Sequence, residues 1–203
     1  MIKKTHGFLE EYASKVFSGE IIAGAELKKE LRKLMTEMKD ERYIYDTTDA
    51  DFRMDFMEHC VLLTKSPFYG KPMRLMLWQK ALISVIYGFK MAADLTERFR
   101  RVLLLIARKN GKSELCSGLG FTEMICGNDG ADIVCSSNDD NQANILYNAI
   151  DTMRLMVDPK QKDTWRNIQN IKCKANGSKV FKLSDRTRNK EGRSSRPLDS
   201  LAA

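Results

Sequence analysis

The tripeptide Gly111-Lys112-Ser113 carries three residue types that proteins use together to hold a polyphosphate. A glycine lets the backbone approach phosphate oxygens, a lysine reaches the β- and γ-phosphates, and a serine hydroxyl can take one coordination position on Mg2+. The full phosphate-loop pattern, G-x-x-x-x-G-K-[ST], places a first glycine five positions before Gly111, and Ile106 stands there instead. The loop entry must therefore turn through the small Ala107. Taken alone, the tripeptide is a weak signal, and an ordinary polar turn competes with it.

A phosphate loop works because successive backbone N–H groups and a helix N-terminus converge on the anion, so it needs a strand before it and a helix after it. Both are expected here. The run "VLLLIA" at 102–107 reads as a buried parallel strand, and "KSELCSGLGFTEMIC" reads as the following helix. A second strand is expected at 131–136, "ADIVCS". A long helix then places Ala143, Leu146, Ala149, Ile150, Met153 and Val157 at helical spacing and stops at Asp158-Pro159. Strand, loop, helix, strand, helix is the grammar of an open α/β sheet, mostly parallel, with flanking helices.

The rest of the chain frames that core. Residues 1–63 read as a helical prefix of three amphipathic segments. The first stops at Gly19, the second repeats Leu27, Leu31, Leu34 and Met38, and the third offers Thr48 as its N-cap. The loop "TKSPFYGKPM" separates the prefix from an apolar helix, "RLMLWQKALISVIYG", which ends at Gly88. Farther on, Ile171, Cys173 and Ala175 alternate with lysines, Asn176-Gly177 marks a hairpin, and Phe181 and Leu183 return. The expected organisation is a prefix over 1–63, a partial nucleotide-binding domain over 64–192 and an irregular tail over 193–203.

Composition narrows the class. The chain has 203 residues, with 43% hydrophobic and 30% charged, as in ordinary globular proteins. No apolar run approaches a membrane span, and acids interrupt the N-terminal stretch where a signal peptide would be apolar, so a cytoplasmic location is expected. The five cysteines form no C-x-x-C pair and sit in apolar surroundings, which points to plain thiols. His6 and His59 have no metal-type partner nearby. The net charge of +7 is concentrated at one end: residues 160–203 hold 12 Lys or Arg against 4 Asp or Glu. A concentrated basic end suits a polyanion, nucleic acid above all, and a solvated polar surface is the competing account.

The segment "ERFRRVLLLIARKNGKSELCSGLGFTEMI" resembles the ATPase region of the large terminase subunit of tailed bacteriophages. That family lacks the first loop glycine and has a small residue and an arginine in its place, as Ala107-Arg108-Lys109-Asn110-Gly111-Lys112-Ser113 does here. "LMLWQKALISVIYGFK" is similar to the family's upstream W-Q segment, "ADIVCSSNDDNQANILYNAI" to its strand and Q-A helix, and "KVFKLSDRTRNKEG" to the stretch before its Walker B acids. The resemblance implies ATP and Mg2+ as cofactors, with Lys112 on the phosphates, Ser113 on the metal and Arg108 stabilising charge on the transferring phosphoryl group. It implies Gln79 at the adenine edge with Trp78 beside it. Trp78 is also readable as a core aromatic, and Arg108 with Lys109 as a solvated turn. By family, the partners are double-stranded DNA, a small terminase subunit and a portal. A homo-oligomeric ring in the cytoplasm of the bacterial host is also implied.

One departure stands out. The family's Walker B motif, four apolar residues followed by Asp-Glu, is expected shortly after "NKEG", yet the sequence continues "RSSRPLDSLAA". Asp199 follows a single leucine, and no nuclease segment is present. The expectation is an N-terminal piece of a longer motor, arising by truncation, frameshift or a split reading frame. Two functions compete: an ATPase fragment of a DNA-packaging motor, and a module that binds nucleotide or nucleic acid without hydrolysis.

Overall fold

The computed structural model describes residues 7–137, 140–184 and 200–202. The chain divides into two compact units: Met1–Asp55 with Arg74–Val102, and Phe56–Met73 with Leu103–Ala203.

The first unit holds the helices α1 (Phe8–Ser18), α2 (Ala25–Glu37) and α4 (Leu77–Gly88), the start of α3 (Thr48–Cys60), and the short antiparallel pair β1 (Tyr43–Tyr45) and β2 (Phe89–Met91). Leu9, Ala13 and Val16 of α1, Leu31 and Leu34 of α2, and Ala81 and Phe89 form its buried cluster. These positions follow the helical spacing legible in the sequence, and α1 ends at Gly19 in the left-handed conformation, φ 84. α3 begins at Thr48, so Thr48 is not its N-cap: Asp46 Oδ1 accepts the Thr48 amide at 2.9 Å and the Thr48 hydroxyl at 2.7 Å. The same two bonds depress the Asp46 carboxyl below the usual range, the hydroxyl bond most. α4 belongs to this unit with α1, so the grouping of elements cuts across residue 63.

The second unit is a five-stranded sheet with α5 (Lys112–Cys126) and α6 (Asp140–Val157). Its strands are β3 (Asp132–Ser137), β4 (Thr164–Arg166), β5 (Asn170–Cys173), β6 (Lys179–Ser184) and β7 (Ser200–Ala202), in the order β4-β5-β6-β3-β7. β3 runs parallel to β6, Ile133 opposite Val180, and parallel to β7, Val134 opposite Ser200. β4, β5 and β6 are antiparallel neighbours. The sheet is therefore mixed rather than mostly parallel, and the architecture is α/β. The hairpin at Asn176-Gly177 is present, with Gly177 at φ 71 and Cys173 and Ser178 bonded across a loop longer than two residues.

One expected element is missing. Residues 101–107 form no strand, and Leu103 and Leu105 are 83% and 82% exposed. Among the described residues no strand pairs with this run, so it has no hydrogen-bonding ladder, and only Leu104 and Ile106 are half-buried. The reverse holds at the other end, where β7 forms a strand in a stretch whose pattern gave none. All five cysteines are free; Cys116, Cys135 and Cys173 are buried, while Cys60 and Cys126 are only half-buried. Burial pushes the Cys135 thiol up to about 12, with Cys116 nearby adding to the shift.

Candidate functional site: the loop that opens helix α5

The 107–113 segment lies in the second unit. Lys109 and Gly111 both take the left-handed conformation, at φ 69 and φ 73, and so coil the chain immediately before α5. For Gly111 that conformation costs little, and a Cβ there would meet nothing within 4 Å. For Lys109 it is a strained choice for a residue with a Cβ. The Asn110 side-chain amide donates to the Ala107 carbonyl at 3.2 Å and closes the loop on itself. The first inter-turn bond of the helix runs from the Leu115 N–H to the Gly111 carbonyl at 2.9 Å. The amides of Lys112, Ser113 and Glu114 are thus the free N–H groups that a helix N-terminus offers an anion.

Charge and exposure suit that role. Ala107, Arg108, Lys109, Asn110 and Gly111 are exposed, and Lys112 and Ser113 are half-buried at the root of the helix. Cys116 lies one turn along. Burial raises its thiol pKa, and the positive charge of Lys112 acts against that rise, which places the ammonium in electrostatic reach of the helix's first turn. The residues present fit a polyphosphate: free amides, a helix dipole and three cationic side chains within five positions. Toward Mg2+ they offer the Ser113 hydroxyl, which suits a metal that keeps several waters and takes its other oxygens from phosphates. Among the described residues no group of three His, Cys, Asp or Glu gathers to hold a metal.

α5 itself is tightly fixed. Gly120 allows close packing, since a Cβ there would meet Ile150 Cδ1 of α6 at 3.0 Å and Ile133 Cγ2 of β3 at 3.8 Å. At its far end the Asn176 side-chain amide donates to the Met124 and Ile125 carbonyls at 3.1 and 3.4 Å, so the hairpin caps the helix C-terminus. At the near end Glu114 accepts the Thr64 amide at 3.1 Å and the Thr64 hydroxyl at 2.6 Å. The sequence marked Asn176 only as a hairpin residue, and singled out neither Glu114 nor Thr64. An acid in a helix's first turn was a visible signal for Glu114; nothing in the sequence marks Thr64.

Trp78 and Gln79 lie in the first unit, on the first turn of α4. The Gln79 Oε1 accepts the Met76 amide at 2.8 Å and the Gln79 amide donates to the Met76 carbonyl at 2.9 Å, which closes the start of the helix. Gln79 is 8% exposed, so its carbonyl oxygen is committed to the helix start and its Nε2 donors remain for other use. Trp78 is half-buried and its indole N–H donates to the Met76 sulfur at 3.2 Å. Asp185, Glu191 and Asp199, the acids in and around "NKEG", lie outside the described residues, as do five of the twelve lysines and arginines of the basic end.

No helix of the described residues is long and apolar enough to cross a membrane. No curated protein matches the chain. A crystal structure of the large terminase of bacteriophage HK97 is similar in fold, with a TM-score of 0.59 at 23% identity, covering 72% of this chain and 29% of that one. The chain thus spans less than a third of that protein's length. The family model for the terminase large subunit, ATPase domain, matches residues 77–192, which include Trp78, Gln79, the 107–113 loop, α5, α6 and the hairpin. That match takes in more than half of the chain, and the chain belongs to the family of terminase large subunits through its ATPase domain.

Proposed function

We propose that this chain is the nucleotide-binding part of a motor that drives viral DNA into procapsids, and that it binds ATP with Mg2+ at residues 107–113. The observation that carries the reading is the left-handed Gly111 opening α5 below three unpartnered amides, in a chain of this family. Lys112 would contact the β- and γ-phosphates. Ser113 would hold the metal that arrives with the nucleotide, and the metal would supply charge neutralisation at the phosphates. Arg108 would offset charge as the terminal phosphoryl leaves. The free Nε2 of Gln79 would donate to an acceptor on the adenine edge, with Trp78 beside it.

The finer fold follows the same reading. β3 and its parallel neighbours β6 and β7 would be the part of the sheet that serves the nucleotide site. An open α/β sheet binds its ligands at the C-terminal ends of its parallel strands. Double-stranded DNA, a small terminase subunit, a portal and a ring of copies in the host cytoplasm would be the partners and place of the whole protein. Calorimetry with Mg-ATP tests the core of this reading. Wild type should bind, and Lys112→Ala should lose most of the affinity. Equal binding by both proteins would remove the loop from the site.

A further inference from the structure

Residues 65–72 form the most exposed aromatic feature of the second unit. Phe68 and Tyr69 are 56% and 62% exposed, with Lys65 and Lys71 on either side, also exposed. No acidic residue occurs anywhere between Glu58 and Asp94. The tip is nevertheless held firmly. The Met73 amide donates to the Val61 carbonyl at 2.9 Å, Leu63 to Lys71 at 2.9 Å and Gly70 to Leu63 at 2.8 Å. Within the tip, Phe68 donates to Lys65 at 2.9 Å and Lys71 to Phe68 at 3.0 Å, and the Lys71 ammonium stands 5.5 Å from the Phe68 ring centroid. Val61 and Met73 at its base are buried, and Met73 packs where a Cβ on Gly118 of α5 would stand. Thr64 then fixes the base to Glu114 in the first turn of α5.

Two solvent-facing rings cost free energy in a lone chain, and two lysines on the loop, against the single Glu114 carboxylate at its base, create a local positive field. Aromatic faces between cations are the chemistry that recognises a nucleic acid: rings stack on or wedge between bases, and ammonium groups meet phosphates. A loop already fixed by backbone bonds loses little entropy on binding. We propose that the 65–72 loop is a DNA-contacting element, anchored to the same helical turn that carries Lys112 and Ser113. The proposal rests on the reading that this protein works on DNA, and it does not require that nucleotide binds.

The test uses the full chain and fluorescently labelled 20-nucleotide DNA, single-stranded and duplex, followed by anisotropy over a range of salt. Phe68→Ala with Tyr69→Ala should weaken binding by about 5-fold or more, since each stacked base contributes ~1–3 kcal/mol. Phe68→Leu with Tyr69→Leu, which keeps apolar bulk, should weaken it similarly. Lys65→Ala with Lys71→Ala should lower the slope of log affinity against log salt by about 2. Phe52→Ala, which removes an exposed ring from the first unit, should change nothing. A larger loss on single strands would assign the rings to base stacking, and a larger loss on duplex would assign them to the groove; both support the element. Wild-type affinity in both loop variants would overturn it. So would a phenotype confined to lost self-association, which would make the loop a contact between copies. Mg-ATP affinity measured on the same variants separates the two readings: DNA binding through the loop without ATP binding would sink the nucleotide assignment and leave this one standing.

Discussion

Thr64 and Glu114, fifty positions apart in sequence, meet through two hydrogen bonds: the Thr64 amide at 3.1 Å and its hydroxyl at 2.6 Å both reach the Glu114 carboxylate. The carboxylate lies in the first turn of α5, where the helix dipole favours a negative charge. It is half-buried, so these bonds are worth more than their solvent-exposed counterparts. Removing the carboxylate with Glu114→Ala should cost roughly 1.5–3 kcal/mol of stability, the usual worth of hydrogen bonds to a charged group. Thr64→Val should cost less, because the amide bond survives. Urea unfolding of both variants checks the ranking; equal stability of Glu114→Ala and wild type would mean that the pair is incidental.

Gly111 tests the loop from another side. Its φ of 73 and the open space around its Cβ position make the cost of Gly111→Ala purely conformational, about 1–2 kcal/mol. The added methyl would also stand where phosphate oxygens approach the backbone. The expected outcome is a modest drop in melting temperature together with a much larger loss of Mg-ATP affinity. A variant that loses stability yet binds ATP as tightly as wild type would show that the phosphates do not pass over Gly111.

The turn after α6 gives a prediction for pH. Asp158 accepts the amides of Lys162, Asp163 and Thr164 at 2.9, 2.9 and 2.8 Å and the Thr164 hydroxyl at 2.9 Å. Desolvation, the largest single influence, raises its pKa, but the four bonds together outweigh it and hold the carboxyl down at about 2. A group depressed in the folded state stabilises it above the unfolded pKa, near 4, and loses that contribution as pH falls toward 2. Asp158→Asn should therefore be less stable than wild type at pH 7, with the gap closing between about pH 4 and pH 2. A gap that stays constant through that window would show that the carboxylate charge is not what holds the turn.

How much of this was legible beforehand depended on whether a signal was local. Periodicity located α1, α2 and α6, because apolar residues that recur at helical spacing are buried in each; α5 was legible from its place after the loop and is buried all round over 115–122. Asp158-Pro159 and Gly88 marked helix ends through backbone restrictions that act at a single residue. Residues 102–106 show the opposite case. Their composition is that of a buried strand, but a strand also needs neighbours, and pairing is a property of distant residues. β4 escaped notice because "TWR" is too short to carry a pattern and exists only through its pairing with β5. In the site, residue type and order singled out Lys112 and Ser113. The brace from Thr64 and the cap from Asn176 are long-range contacts that no spacing announces. Gln79 was legible as a residue of interest, while the commitment of its Oε1 to Met76 appeared only in three dimensions.

The central claim is that the amides opening α5 receive the phosphates of ATP. Backbone amide chemical shifts of isotope-labelled protein, followed during titration with Mg-ATP, test it most directly. The account predicts saturable shifts concentrated at Gly111, Lys112 and Ser113, weaker with AMP, and lost in Lys112→Ala. Saturable shifts that leave these three amides unmoved, or that persist unchanged in Lys112→Ala, would contradict it.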